Sequence, residues 1–191
     1  YKVLPVCKAV WAISKSSADD TRKVLQAKGL TLPAIDSFVL GSDITRVQNG
    51  QPPKGLQEPF ILSVGTVEAR KNHMLLYYAY KSLVAQGKTL PKLVIAGRRG
   101  WLTDDFQYLL EHDPEVKDQM LIYDQTTDAE LIWLYQHCLF TVFPSFYEGW
   151  GLPVAESLAY GKVTLTSNTS SLPEAGGDVA DYFSPTSTEE L

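Results

Sequence analysis

"FILSVGTVEARKNHMLLYYAYKSLVAQGKTLPKLVIAG", residues 60–97, decides the fold. Its first six residues, 60–65, form an apolar run with the length of a strand buried on both faces. Residues 72–87 then carry a helical period. Leu75, Ala79 and Leu83 recur at i, i+4 and i+8, Leu76 and Tyr80 lie beside them, and Gly87 provides a stop. Asn72 is the expected side-chain cap of that helix. Residues 92–97 are a second buried strand. A strand, a helix and a strand in this order imply a right-handed crossover and parallel pairing.

The alternation continues outward from this unit. Downstream, helices are expected over 103–113, 127–138 and 153–161, and strands over 119–124, 139–144 and 162–167. Thr127 or Asp128 would cap the second of these helices, and Pro153 would open the third. "LPEAGG" (172–177) reads as a turn or short helix, and "VADYF" (179–183) as a weaker strand. Upstream, 3–13 leans to β, 14–29 is a helix with a Gly stop, and 30–44 holds a short strand with loops. Residues 45–59 are polar and rich in Gly and Pro, as a linker is. The expected fold class is α/β, a Rossmann-like doubly wound parallel sheet over 60–191, preceded by a piece of another domain over 1–44.

Composition agrees with a packed core, since 45% of residues are hydrophobic and 20% charged. The formal net charge of -5 provides no global basic field, so a nucleic-acid partner is not expected. Cys7 and Cys138 are too few for a disulfide framework, and no Cys/His cluster has zinc spacing. Cys138 lies in an apolar run and reads as a buried free thiol. No apolar run reaches the roughly 20 residues of a membrane span. A reducing cytoplasm fits these features. The chain begins at Tyr1, as a fragment of a longer protein would.

In an open parallel sheet, ligands bind at the carboxyl ends of the strands. The loop 64–73 leaves its strand at Gly65, passes Thr66 and delivers Arg70 and Lys71 to a helix start. Two cations there form either an anion site or a solvated basic pair. The loop lacks a G-x-G-x-x-G fingerprint, which argues against a dinucleotide. At 95–101, Gly97 permits close approach to a ligand, and Arg98 and Arg99 add positive charge, one of them at least as a plain surface residue. The loop in 121–131 can present backbone groups to a base edge, with Asp128 read as a cap. Finally, 144–162 sets Glu148 and Glu156 on either side of Gly149, Trp150, Gly151 and Leu152. Glycines and a helix start suit a diphosphate. Glu156 could simply complement a helix dipole from the first turn, and Glu148 could be a loop carboxylate in water. A sugar nucleotide accounts for both, because it places hydroxyls at each end of a diphosphate.

These motifs carry a resemblance. "EGWGLPVAE" (148–156) resembles the E-x7-E element of the retaining glycosyltransferases of family 4, which share the GT-B fold. "VGTVEARKNH" (64–73) resembles that family's first donor-domain loop, and "VIAG" (94–97) its second strand. The likeness spans roughly 60–185; upstream, "WAISKSSADDTRKVL" (11–25) and "VLGSDI" (39–44) resemble the close of the acceptor-side domain. The resemblance implies the C-terminal, donor-binding half of a GT-B fold with a remnant of the N-terminal domain. It implies that Lys71 meets the donor diphosphate and Glu148 the hexose. The amides of Gly149 to Leu152 would wrap sugar and phosphate, and Glu156 would grip the ribose. Gly65, Thr66, Arg70, Gly97 and Arg98 complete the expected donor site. Thr66 stands where many members carry arginine, and Arg70 is expected to supply that charge.

The implied reaction passes an oxocarbenium-like transition state, with charge on the leaving diphosphate met by cations and amides. The family retains α-configuration by same-face attack, and no metal or other cofactor is expected. "GT-x3-RKN" resembles the loop of bacterial hexosyltransferases of surface-polysaccharide synthesis, so mannose from GDP-mannose is the expected donor group. The acceptor would be a saccharide or lipid-linked saccharide, recognised with an N-terminal domain outside this chain. The full-length enzyme would be cytoplasmic, with peripheral association at the inner membrane face allowed. This chain alone, expected to be truncated at its C-terminus, would bind donor without efficient transfer. Two other readings stay open. One is another GT-B enzyme, above all a sugar-nucleotide epimerase, since a phosphorylase would need a pyridoxal-phosphate lysine and Lys71 and Lys162 are poorly placed for it. The other is a non-catalytic nucleotide-sugar-binding module.

Overall fold

Eight strands and six α-helices make up the computed structural model, which describes residues 3–31, 33–41 and 50–191. The short N-terminal sheet pairs β1 (Ala9–Ala12) with β2 (Ala34–Ser37), parallel, across helix α1 (Lys15–Ala27). Ser14 caps α1 by accepting the Ser17 amide. Of the expected linker, 45–49 lie outside the described residues, as do 42–44 of the segment before it.

The main sheet contains β3 (Phe60–Val64), β4 (Lys92–Ala96), β5 (Met120–Tyr123), β6 (Thr141–Phe143), β7 (Thr164–Ser167) and β8 (Asp181–Phe183). Its spatial order is β5-β4-β3-β6-β7-β8, and every pair is parallel. The order reverses between β3 and β6, the switch point where doubly wound sheets open a ligand crevice. Helices α2 (His73–Ala85) and α3 (Asp104–His112) supply Leu75, Leu76, Tyr77, Tyr80, Phe106 and Leu110 to one core layer. Helix α4 (Asp128–His137) supplies Leu134 and Tyr135 to a second layer with Phe60, Leu62 and Val94. Helix α5 (Leu152–Ala159) and the short α6 (Leu172–Gly176) pack Val154 and Leu172 on Phe143. Cys138 is buried here as a free thiol, and burial pushes its pKa up to about 11.

Three local expectations are corrected. Asn72 does not cap α2 with its side chain: it sits in the left-handed region at φ 57, and its Nδ2 donates to the carbonyls of Pro144 and Pro185. Tying three loops together satisfies the amide better than one exposed helix end would. Pro153 is the second residue of α5 rather than the first, since Leu152 opens that helix. Glu156 is consequently its fifth residue, one turn in, and no acidic residue lies in the first turn. Complementing the helix dipole is therefore not its role.

At α4 the cap is Thr127. Its hydroxyl accepts the Glu130 amide while Glu130 accepts the Thr127 amide, a closed capping box. Thr127→Ala is expected to cost about 1 kcal/mol. Thermal unfolding of the variant checks this, and an unchanged midpoint would count against it.

Candidate functional site

Adjacency of β3 and β6 brings two loops together that are far apart in sequence. The chain leaving β3 at Gly65 runs to Arg70 and Lys71. The chain leaving β6 runs to Glu148, and the Phe146 amide donates to the Arg70 carbonyl at 2.9 Å. Glu148 thereby meets both cations. Its Oε1 lies 2.7 Å from Lys71 Nζ and its Oε2 lies 2.7 Å from Arg70 Nη1. A second carboxylate, Glu68, holds Arg70 Nη2 at 2.6 Å and accepts Trp101 Nε1–H at 2.9 Å. Arg70 also donates to the Tyr147 carbonyl.

The side chain of Glu148 is only 12% exposed. Burial pushes its pKa up, but Lys71 and Arg70 outweigh burial and hold it below the ordinary glutamate value. The stability contributed by its ionised form is present above the unfolded-state value and is lost as pH falls through the lower folded value. A carboxylate in water, the bland reading, is excluded. Its partners in this structure are the two cations.

The backbone after Glu148 is held from outside. Ser170 Oγ accepts the Glu148 amide at 2.8 Å, and Ser171 Oγ lies 2.8 Å from the Glu148 carbonyl and 2.9 Å from that of Trp150. Gly151 has φ 111, and a Cβ there would fall 2.9 Å from Leu172 Cδ2. A side chain would thus be strained in conformation and in space. The amides of Gly149, Trp150, Gly151 and Leu152 donate to no acceptor among the described residues. Val154 and Ala155 already bond the Gly151 carbonyl, so the expected run of free amides stops at Pro153. The Trp150 ring is buried, so this residue can offer a ligand its backbone. Leu152 is exposed.

Glu156 is fixed by its neighbours. Ser157 Oγ bonds Thr141 and Thr164 at 2.7 and 2.8 Å, all three fully buried, which pins α5 to β6 and β7. Burial raises the pKa of Glu156, and a hydrogen bond from Tyr135 Oη at 2.8 Å opposes the rise.

A cleft of about 650 Å³ opens at the carboxyl ends of β3, β4 and β5, lined by Val64, Gly97, Arg98, Asp124, Thr126 and Leu131 among others. Gly97 is pressed against the neighbouring turn, where a Cβ would fall 2.0 Å from the Gly65 carbonyl oxygen. Gly65 faces Lys71, whose Nζ would lie 3.3 Å from a Cβ at that position. Thr66 is exposed at the turn, and Arg98 is exposed at the cleft. Arg99 is tied to Gln107 at 2.9 Å. Asp128 is the first residue of α4 and not its cap, which is Thr127.

Glu68, Asp124, Tyr135, Ser170 and Ser171 were not marked by motif or spacing. Only Glu68 had a signal, a carboxylate two residues from Arg70. Among the described residues no group of three His, Cys, Asp or Glu is arranged to hold a metal ion. No helix among them is long and apolar enough to cross a membrane.

A family model described as "Glycosyl transferases group 1" matches residues 45–184. The chain is 31% identical over 190 residues to the serotype-specific mannosyltransferase WbdA of Escherichia coli, covering 96% of this chain and 23% of that protein. It is 34% identical over 133 residues to the O-antigen chain mannosyltransferase B of Escherichia coli, covering 69% of this chain and 34% of that protein. Among solved structures, trehalose-6-phosphate synthase OtsA superposes with TM-score 0.78 at 14% identity, over 99% of this chain and 51% of that one. The chain thus spans about a quarter to a third of these two curated relatives.

Proposed function

Because this chain belongs to the group 1 glycosyltransferases, we propose that it is the donor-binding part of a retaining hexosyltransferase that uses GDP-mannose. The acceptor in this reading is a saccharide or lipid-linked saccharide of bacterial surface-polysaccharide synthesis. The enzyme works in the cytoplasm, in peripheral contact with the membrane.

The observation that carries the reading is the meeting of Glu148, Arg70 and Lys71 at the switch point, beside four unpaired amides. Lys71 and Arg70 take the diphosphate, bidentate from the guanidinium and as a point charge from the ammonium. The amides of Gly149 to Leu152 close around the phosphate and sugar. As the anomeric bond breaks, negative charge grows on the diphosphate oxygens, and these fixed donors meet it without reorganising. Glu148, released from one cation by the phosphate, accepts hexose hydroxyls and stabilises the oxocarbenium-like carbon. The chain supplies the charge compensation itself, so transfer is expected to survive metal chelation.

For the base, Asp124 supports guanine. Its carboxylate is exposed at the cleft and has no hydrogen bond or ion pair among the described residues. Guanine presents two adjacent donors, N1–H and the 2-amino group, whereas uracil presents a single N–H between two carbonyls. A carboxylate matches the first and repels the carbonyls of the second.

Calorimetric titration tests this with GDP, GDP-mannose, UDP and UDP-glucose. GDP and GDP-mannose are expected to bind at least about 10-fold more tightly than the uridine ligands, the value of one good charged hydrogen bond. Asp124→Asn should erase most of the difference. Tighter binding of UDP would overturn the guanine assignment, and no heat with any of the four would overturn the donor site.

A further inference from the structure

We propose that Tyr135 is a positioning residue for nucleotide-sugar binding: its buried hydroxyl holds the Glu156 carboxylate in the orientation that receives the ribose. The proposal rests on the reading of Glu156 as the ribose ligand.

Tyr135 is fully buried in α4. Its Oη has one hydrogen, and two acceptors are near it: Glu156 Oε2 at 2.8 Å and the Pro153 carbonyl at 3.4 Å. The shorter, charge-assisted bond takes that hydrogen. Among the described residues no other side chain bonds the Glu156 carboxylate. The Tyr160 ring stacks on the Tyr135 ring at 5.4 Å with planes 9° apart, so the phenol cannot swing away. On the other side, Ser157 locks the backbone next to Glu156. Leu131, one turn before Tyr135 in α4, lines the cleft, so the helix that carries the phenol also borders the ligand space.

One oxygen of Glu156 is therefore anchored and the other is open. Oε2 keeps a lone pair beyond the one Tyr135 uses, so both oxygens can accept a hydroxyl of a ribose 2′,3′-diol. Without the phenol, a single-bond rotation would turn the pair out of register. The hydroxyl also opposes the upward push of burial on the carboxylate's pKa. The titratable groups facing Glu156 are Tyr135 from α4 and Tyr160 from the end of α5. The plainer role for Tyr135, a ring in the layer with Phe60, Leu62 and Val94, needs no hydroxyl.

Tyr135→Phe keeps the ring and removes only the bond. In the full-length enzyme, Kd is measured for GDP and UDP, each against its 2′,3′-dideoxy analogue. The variant is expected to weaken the better ribonucleotide about 5- to 10-fold, the loss of one hydrogen bond to a charged group. It should bind the dideoxy analogue as wild type does, leave kcat within about twofold, and move the acidic limb of nucleotide binding to higher pH. The ratio of the two Kd values is read within one preparation, so partial unfolding does not move it. Equal weakening of both ligands, or no weakening of either, overturns the proposal. Glu156→Gln separates the two claims. If it leaves the ribo-to-dideoxy ratio at the wild-type value, the ribose reading itself falls. If it collapses the ratio while Tyr135→Phe does not, that reading stands and Tyr135 has no positioning role.

Discussion

Glu148→Gln in the full-length enzyme is expected to lower kcat by about 100-fold or more while GDP binds as tightly as before or tighter. The first half follows from the proposed function, in which the carboxylate faces the developing positive charge, an electrostatic contribution of roughly 3 kcal/mol for one well-placed group. The second half comes from the ion pairs. Lys71 Nζ and Arg70 Nη1 both lie 2.7 Å from this carboxylate, so an incoming diphosphate competes with Glu148 for the same two cations. Glutamine keeps the shape and removes the competitor. Arg70 stays oriented because Glu68 holds its other nitrogen. Single-turnover transfer and GDP titration, measured side by side, check the pair of effects. Full transfer activity would remove Glu148 from the chemistry. A 10-fold loss of GDP affinity would mean that the carboxylate supports the phosphate site rather than competing with it.

Gly97→Ala is expected to destabilise the chain by about 2–3 kcal/mol. The new methyl would lie 2.0 Å from the Gly65 carbonyl oxygen and 2.5 Å from its carbon. Both contacts are backbone, so neither can rotate aside, and the turns leaving β3 and β4 must part. Their separation would break the Val67 amide bond to the Arg98 carbonyl at 2.8 Å. It would also shift Lys71 and the cleft wall, so GDP affinity should fall with stability. For a chain of this size the loss corresponds to a drop in Tm of roughly 5–10 °C. Gly87→Ala is the control. There φ is +74 but nothing lies within 4 Å, so the cost is conformational alone, about 1 kcal/mol. Similar Tm values for the two variants would refute the close-approach argument.

Much of the fold was legible because its signals are local. Buried parallel strands are largely apolar, and 60–65, 92–97 and 119–124 show it, within a residue of β3, β4 and β5. Residues 162–167 lie within two residues of β7 although Thr164, Thr166 and Ser167 are polar and buried. Helix ends were legible where one residue type has one use, as at Thr127 and Gly87. They were misread where a side chain had a better partner far away. Asn72 looked like a cap, but two carbonyls at positions 144 and 185 take its amide. Glu156 was placed one residue too early, inside the first turn, because Pro153 marks a helix start only to within a residue.

The site divides the same way. The sequence alone singled out the candidate residues: two cations on one loop, two carboxylates around a glycine turn, and glycines at the crevice. Residue type and spacing encode these, because charge and backbone freedom are properties of single residues. Tertiary structure decided who pairs with whom. Order reversal between β3 and β6 sets Glu148 against Lys71 across 77 positions of chain, so that in the proposed function a phosphate would compete with an internal carboxylate for the same cation. The same packing placed Tyr135 under Glu156, and Ser170 and Ser171 around the Glu148 backbone. Such contacts depend on distances between elements, and those follow from how whole helices and strands fill a common core, which no local pattern records.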